Sequence, residues 1–171
     1  MSRIKPRQRV PELELPTTDG GIYDLRASNP QHFNMPVFYR GLHCPVCKNY
    51  LGELEAKVSQ FEALGVKPVA ISTDTRDRAQ RAVKEWGLSK LPVAYALPID
   101  EARKWGLYIS HAIRDGEPPL FNEPGLFLVR PDMTLQYVAL NSGPRGRPGI
   151  DEMLAAVAFM IEKSAPARGE A

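Results

Sequence analysis

Cysteine is scarce in this chain. Its 171 residues hold two, Cys44 and Cys47, within the stretch His43-Cys44-Pro45-Val46-Cys47-Lys48. That scarcity excludes a disulfide-stapled scaffold, which is small and cysteine-dense. Histidine is sparse as well. His32, His43 and His111 are the three present, so a mononuclear zinc would have to complete its four ligands around the cysteine pair from these alone, and no metal or other cofactor is expected. No uninterrupted run of about 18 apolar residues occurs, and no apolar core follows the basic residues 1–9 as a secretory signal requires. The expected location is therefore cytoplasmic. Excess charge is lacking too: 22 Lys+Arg against 20 Asp+Glu leave a net +2, which excludes nucleic acid and an anionic membrane surface as partners.

What is present is the balance of an ordinary globular domain, with 43% hydrophobic and 25% charged residues and a length that buries a core without staples. We read residues 1–9 as a mobile N-terminal tail, 10–164 as one domain and 165–171 as a C-terminal tail. Residues 11–16 and 22–25 flank the turn Thr17-Thr18-Asp19-Gly20-Gly21 and predict a short β-hairpin. Met35-Pro36-Val37-Phe38-Tyr39 reads as a buried strand leading to the cysteines. From Pro45 to about Leu64, Cys47, Tyr50, Leu51, Leu54, Val58, Phe61 and Leu64 recur at three and four, one face of a helix that Gly65 stops.

A strand at 66–72, a helix at 75–86 closed by Gly87, a strand at 91–97 and a short helix at 100–105 follow. The recurrence of Trp86-Gly87-Leu88 as Trp105-Gly106-Leu107 is too short for a repeat unit. Residues 114–123 read as irregular loop, 125–129 and 135–140 as a hairpin, and Ile150, Met153, Leu154, Val157, Met160 and Ile161 as the stripe of a last helix. This order predicts an α/β fold with a mixed central sheet, helices on both faces and an N-terminal hairpin.

The cysteine spacing carries the chemistry. Pro45 suits the first helical position, where its missing N–H is not needed, which makes Cys44 the N-cap and places Cys47 at the third helical position. A sulfur at the cap faces unpaired backbone N–H groups and the positive end of the helix dipole, both of which favour thiolate over thiol. Cys47, on the apolar stripe, is expected to be the more buried sulfur. Such a pair suits thiol–disulfide exchange, with Cys44 attacking and Cys47 resolving. Arg40 and His43 are near enough in sequence to add positive charge, and for His43 a solvated turn residue is the alternative. Half of a zinc site and a pair of inert buried thiols are the competing readings of the cysteines.

These residues resemble a peroxiredoxin-like protein of the alkyl hydroperoxide reductase/thiol-specific antioxidant family, which has the thioredoxin fold. The resemblance spans roughly residues 10–163: the entry from Val10 to Gly21, the segment from Pro92 to Asp100 with Ala102-Arg103-Lys104-Trp105-Gly106-Leu107, and the strand Phe127-Leu128-Val129. Typical members carry Phe-Tyr-Pro and then Thr-x-x-Cys, the last being the peroxidatic cysteine. By that spacing Cys47 takes the peroxidatic position, Cys44 replaces the Thr and Arg40 replaces the Pro. Many members place an active-site Arg three residues before Phe127, where this chain has Pro124. The equivalent place in thioredoxins holds a cis-proline facing the cysteines, so a cis bond at Pro124 is expected.

The resemblance implies an oxidoreductase with an antioxidant or redox role. In one version Cys44 and Cys47 cycle as a dithiol/disulfide, with Pro124 shaping a groove for a client. In another, Cys47 is oxidised by hydroperoxide and Cys44 condenses with it. A non-catalytic interaction domain is a third reading. The partners implied are a disulfide or thiol client protein, a small thiol or a hydroperoxide, and a homodimer. Outside the pair, Leu120 and Phe121 either meet a partner or pack down on their own loop, and Arg145 and Arg147 either hold an anion before the last helix or sit in a solvated linker.

Overall fold

A computed structural model describes residues 4–171. Its centre is a five-stranded sheet in the order β5-β4-β3-β8-β9. Strand β3 (Phe33–Phe38) is in the middle, with β4 (Val66–Ile71) parallel to it and β8 (Gly125–Val129) antiparallel on the other side. β5 (Val93–Ala94) extends the parallel half and β9 (Leu135–Leu140) closes the antiparallel half. The expected hairpin forms from β1 (Glu14–Pro16) and β2 (Ile22–Asp24).

Alternation along the strands builds two cores. Met35, Val37, Leu126 and Leu128 face α1 (Pro45–Ala63), α2 (Arg76–Trp86) and α4 (Ile150–Glu162). Phe38, Val69, Ile71, Phe127 and Val129 face the other way, onto the N-terminal segment and α3 (Ile99–Lys104) with Trp105. Helices thus cover both faces, in a thioredoxin-like arrangement. In α1 the residues Cys47, Leu51, Leu54, Val58 and Phe61 are all buried, and each full burial of such an apolar side chain contributes roughly 1.5–3 kcal/mol. Helix α2 is capped at Thr75, whose side chain accepts from Arg78 N, and ends on Gly87 at φ 68°, the left-handed conformation that glycine adopts without strain.

Three details differ from the sequence reading. The strand expected at 91–97 is confined to β5, because Pro92 and Pro98 bracket it and Ala96 takes a φ of 57°. The stretch read as loop at 114–123 ends in β7 (Leu120–Asn122), which pairs with β6 (Ile109–His111). The segments read as tails make specific contacts, though residues 1–3 lie outside the described residues. Arg7 N donates to Leu135 O at 2.8 Å and Leu135 N to Gln8 O at 2.9 Å. At the other end Gln136 Nε2 donates to Ala165 O at 3.1 Å, Arg7 Nε donates to Ala167 O at 3.1 Å, and Ala167 is buried. The N-terminal segment pairs with β9 through main-chain bonds, which leave no periodicity in a short polar sequence, and the C-terminal segment is held through its carbonyls by the Gln136 and Arg7 side chains.

Candidate active site

The site is assembled where β3 and β4 end. Tyr39 N still bonds Ile71 O at 2.9 Å, and then the chain turns through Gly41 at φ 129°. Only glycine fits there, since an added Cβ would stand 2.7 Å from Asp74 Oδ1. Asp74, just beyond β4 and with its side chain fully buried, fastens the turn: its Oδ2 accepts from Leu42 N at 2.7 Å and its Oδ1 from Arg78 Nε at 2.8 Å. The turn therefore delivers Cys44 to the start of α1 along a fixed path.

There the local expectations hold. Cys44 is the N-cap, with φ −105° and ψ 99°, Pro45 occupies the first helical turn, and Cys47 N donates to Cys44 Sγ at 3.2 Å. Both cysteines are free thiols. Both are closed to solvent, with Cys44 1% and Cys47 0% exposed, and Cys47 is the deeper of the two, as its place on the apolar stripe implies. They differ in protonation as well. Hydrogen bonding from the Cys47 thiol, then the Cys47 N–H and the Arg40 guanidinium, outweigh burial and bring the Cys44 thiol down to about 6. Burial first, and then the bond to Cys44 and its charge, push the Cys47 thiol well up. The surroundings thus favour the thiolate at Cys44 and the proton on Cys47.

Arg40 enters from the end of β3 beneath the cap. Its Nε is 3.1 Å from Glu123 Oε2, out of line for a hydrogen bond, its NH2 is 3.9 Å from Glu117 Oε1, and its guanidinium lies 4.9 Å from the centre of the Phe121 ring. Ser110 Oγ donates to the other Glu123 oxygen at 2.6 Å. Asn122 ties this arm to the sheet, its Nδ2 donating to Tyr39 O at 3.0 Å and its Oδ1 accepting from Thr73 N at 3.1 Å. Phe121 is fully buried against His43, ring centres 4.7 Å apart, so the loop packs its own aromatic residue down. Burial first, then Arg40, hold the His43 pKa below the usual histidine value, and its Nδ1 is 3.3 Å from Arg78 NH2.

The second sulfur has a different neighbour. Arg147 NH2 lies 3.7 Å from Cys47 Sγ, and the guanidinium stacks 4.1 Å from the centre of the Tyr50 ring. Tyr50, its phenol pushed up to about 12 by burial, donates to Pro148 O at 2.8 Å and so clamps the arginine-bearing loop to α1.

The family model described as AhpC/TSA matches residues 6–138. A "Probable 1-Cys peroxiredoxin" of Syntrichia ruralis is 30% identical over 151 residues, 85% of this chain and 68% of that protein. The chain belongs to the AhpC/TSA family. As a member it is a thiol-dependent oxidoreductase. Solved structures agree on the fold: a peroxiredoxin-like protein from Aquifex aeolicus superposes with a TM-score of 0.76 at 19% identity, over 94% of this chain and 90% of that one. The peroxidoxin BcpB from Mycobacterium tuberculosis does so with 0.72 at 17% identity, over 95% and 98%.

Against the expected family pattern, this AhpC/TSA member shows one correction. No peptide bond among the described residues is cis, so Pro124 is a trans proline. It is buried, and its carbonyl accepts from Asn141 N at 3.0 Å as the chain passes from β7 into β8. The trans form is the lower-energy one for an X-Pro bond by about 0.5–1 kcal/mol, and an extended passage between two strands accommodates it. Asp74, Arg78, Glu117 and Glu123 escaped sequence reasoning. For Asp74 a signal existed, because residues just past parallel strands converge at one sheet edge. Glu117 and Glu123 sat in a stretch read as loop and had none. The sequence offers Arg147 as an anion holder or part of a solvated linker, and nothing in it points to Cys47 as its neighbour.

Proposed function

We propose that this protein is a thiol–disulfide oxidoreductase that cycles Cys44 and Cys47 between dithiol and disulfide, with Cys44 as the attacking sulfur. The observation that carries the reading is the Cys44 sulfur at the helix cap, accepting from Cys47 N at 3.2 Å with Arg40 beside it. A thiolate is the nucleophile in exchange, and this sulfur is the one kept as thiolate at neutral pH. Cys44 attacks one sulfur of a client disulfide, whose S–S bond breaks and whose second sulfur leaves as thiolate. Cys47 then attacks Cys44, its proton passing to the departing client sulfur. The client gains two electrons and the protein holds the Cys44–Cys47 disulfide.

A second reading has one observation in its favour. Arg147, 3.7 Å from Cys47 Sγ, supplies positive charge to the sulfur that the family spacing marks as peroxidatic. Hydroperoxide would oxidise Cys47 to the sulfenic acid with release of water or alcohol, and Cys44 would displace the second water to give the same disulfide. Single serine variants separate the two. The exchange reading requires that Cys47→Ser trap mixed disulfides and that Cys44→Ser trap none. Rapid consumption of one equivalent of peroxide by Cys44→Ser would establish the peroxidatic order instead. Full function in both variants would leave only an interaction domain.

A further inference from the structure

The loop between β9 and α4 presents two arginines beside the second sulfur. Asn141 Nδ2 donates to Arg145 O at 3.3 Å and to Gly146 O at 2.9 Å, folding the loop on itself, and Gly146 takes φ 73° between the two arginines. The Tyr50 hydroxyl fastens the same loop to α1 through Pro148 O. A shallow depression results, lined in part by Val46, Tyr50, Arg145 and Arg147, with Glu53 as its one acid. Arg147 NH1 is buried and has no hydrogen-bond partner. Arg145 is exposed. The two guanidinium groups outnumber the single carboxylate on the rim, and one of them carries a donor that lacks an acceptor, which a carboxylate oxygen would supply.

We propose that this depression binds the carboxylate of a small anionic thiol that reduces the Cys44–Cys47 disulfide, an inference that rests on the dithiol–disulfide cycle above. Arg147 stands between the depression and Cys47 Sγ, so a carboxylate that draws the guanidinium toward itself uncovers that sulfur. The thiolate of the bound molecule attacks Cys47 Sγ, the protein S–S bond breaks, and Cys44 departs as the thiolate its surroundings already favour. A low-pKa thiol is the better leaving group in such exchange. A second molecule of the thiol attacks the mixed disulfide, releasing the oxidised small-molecule disulfide, and Cys47 recovers its proton. Two thiols lose two electrons and the protein gains them.

The test uses the oxidised full chain and three probes of different charge: 3-mercaptopropionate, 2-mercaptoethanol and cysteamine. Rates are compared per thiolate and corrected for each thiol's acidity, because intrinsic nucleophilicity falls with pKa. The expected result is that the anionic probe outruns the neutral one by about ten-fold, the scale of one charge-assisted hydrogen bond, and that the cationic probe is slowest. Arg145→Ala and Arg147→Ala each bring the anionic-to-neutral ratio toward one, Arg147→Lys retains part of it, and Arg81→Ala on α2 leaves it unchanged. Equal rates for the three probes, a ratio that survives both alanine variants, or reduction by a protein dithiol alone would each overturn the subsite. A protein that does not lose both thiols on oxidation would instead remove the cycle, a separate failure read by thiol counting before any probe is added.

Discussion

Arg40 and Glu123 meet in the interior at 3.1 Å, one from the end of β3 and the other from the end of β7, with their side chains 16% and 3% exposed. The pair places a guanidinium under the sulfur at the helix cap, and the acid keeps that guanidinium from being a lone buried charge. This AhpC/TSA member thus brings a cation to its cysteines from the strand that precedes them.

Arg40→Gln removes one partner of that pair and leaves Glu123 buried opposite a neutral amide. The expected cost is about 3 kcal/mol, the lower end for breaking a buried pair, measured by urea unfolding of the reduced protein. The same variant raises the Cys44 thiol toward its ordinary range, because Arg40 is one of the groups that hold it down. Thiolate absorbance near 240 nm followed against pH would show the shift, and an unmoved midpoint would deny Arg40 its electrostatic role.

The reduced protein should have a stability that depends on pH through its two thiols. The Cys44 thiol, at about 6 when folded against an ordinary 9.0, is depressed, so its contribution is full above about pH 9 and is lost as pH falls toward 6. Cys47 is pushed the other way, by burial first, so above about pH 9 the unfolded chain ionises it while the folded chain does not, and stability falls again. The pair therefore gives a maximum near pH 9. Cys44→Ser should abolish the rise between about pH 6 and 9 in chemical unfolding series under reducing conditions.

Gly41→Ala places a methyl 2.7 Å from Asp74 Oδ1 on a backbone at φ 129°. Strain at such a position costs about 1–3 kcal/mol before the clash is counted, so the melting temperature should fall by several degrees. Since Asp74 also holds the N–H of Leu42, the variant should lose activity even at temperatures where it remains folded.

Tyr50→Phe deletes the hydroxyl that reaches Pro148 O and leaves the aromatic face beneath Arg147. A stability loss of about 1 kcal/mol is expected, together with faster amide exchange at Gly146, Arg147 and Gly149. Exchange unchanged at those amides would show that the loop is held by other contacts.

The local parts of this molecule were legible in the residues. Recurrence at three and four defined α1 and α4, two apolar runs flanking the turn Arg130-Pro131-Asp132-Met133 defined β8 and β9, and the placement of Pro45 assigned Cys44 to the cap and Cys47 to the third helical position. Each of these follows from backbone geometry within about four residues, where the relation between residue type and conformation is direct. The paired arms of β6 and β7 were missed because their strands are three residues each and flank a polar turn that reads as loop.

By itself the sequence determined that two thiols stand at the start of a helix and that they differ. Only the tertiary structure decided what surrounds each of them. Arg147 reaches Cys47 across 100 positions of chain, Asn122 reaches Tyr39 across 83, and Asp74 reaches Leu42 across 32. Contacts at such separations are set by how the sheet and helices pack, which no short-range pattern encodes. The trans state of Pro124 belongs with them, since the two isomers differ by so little in the isolated chain that the path between β7 and β8 settles the choice.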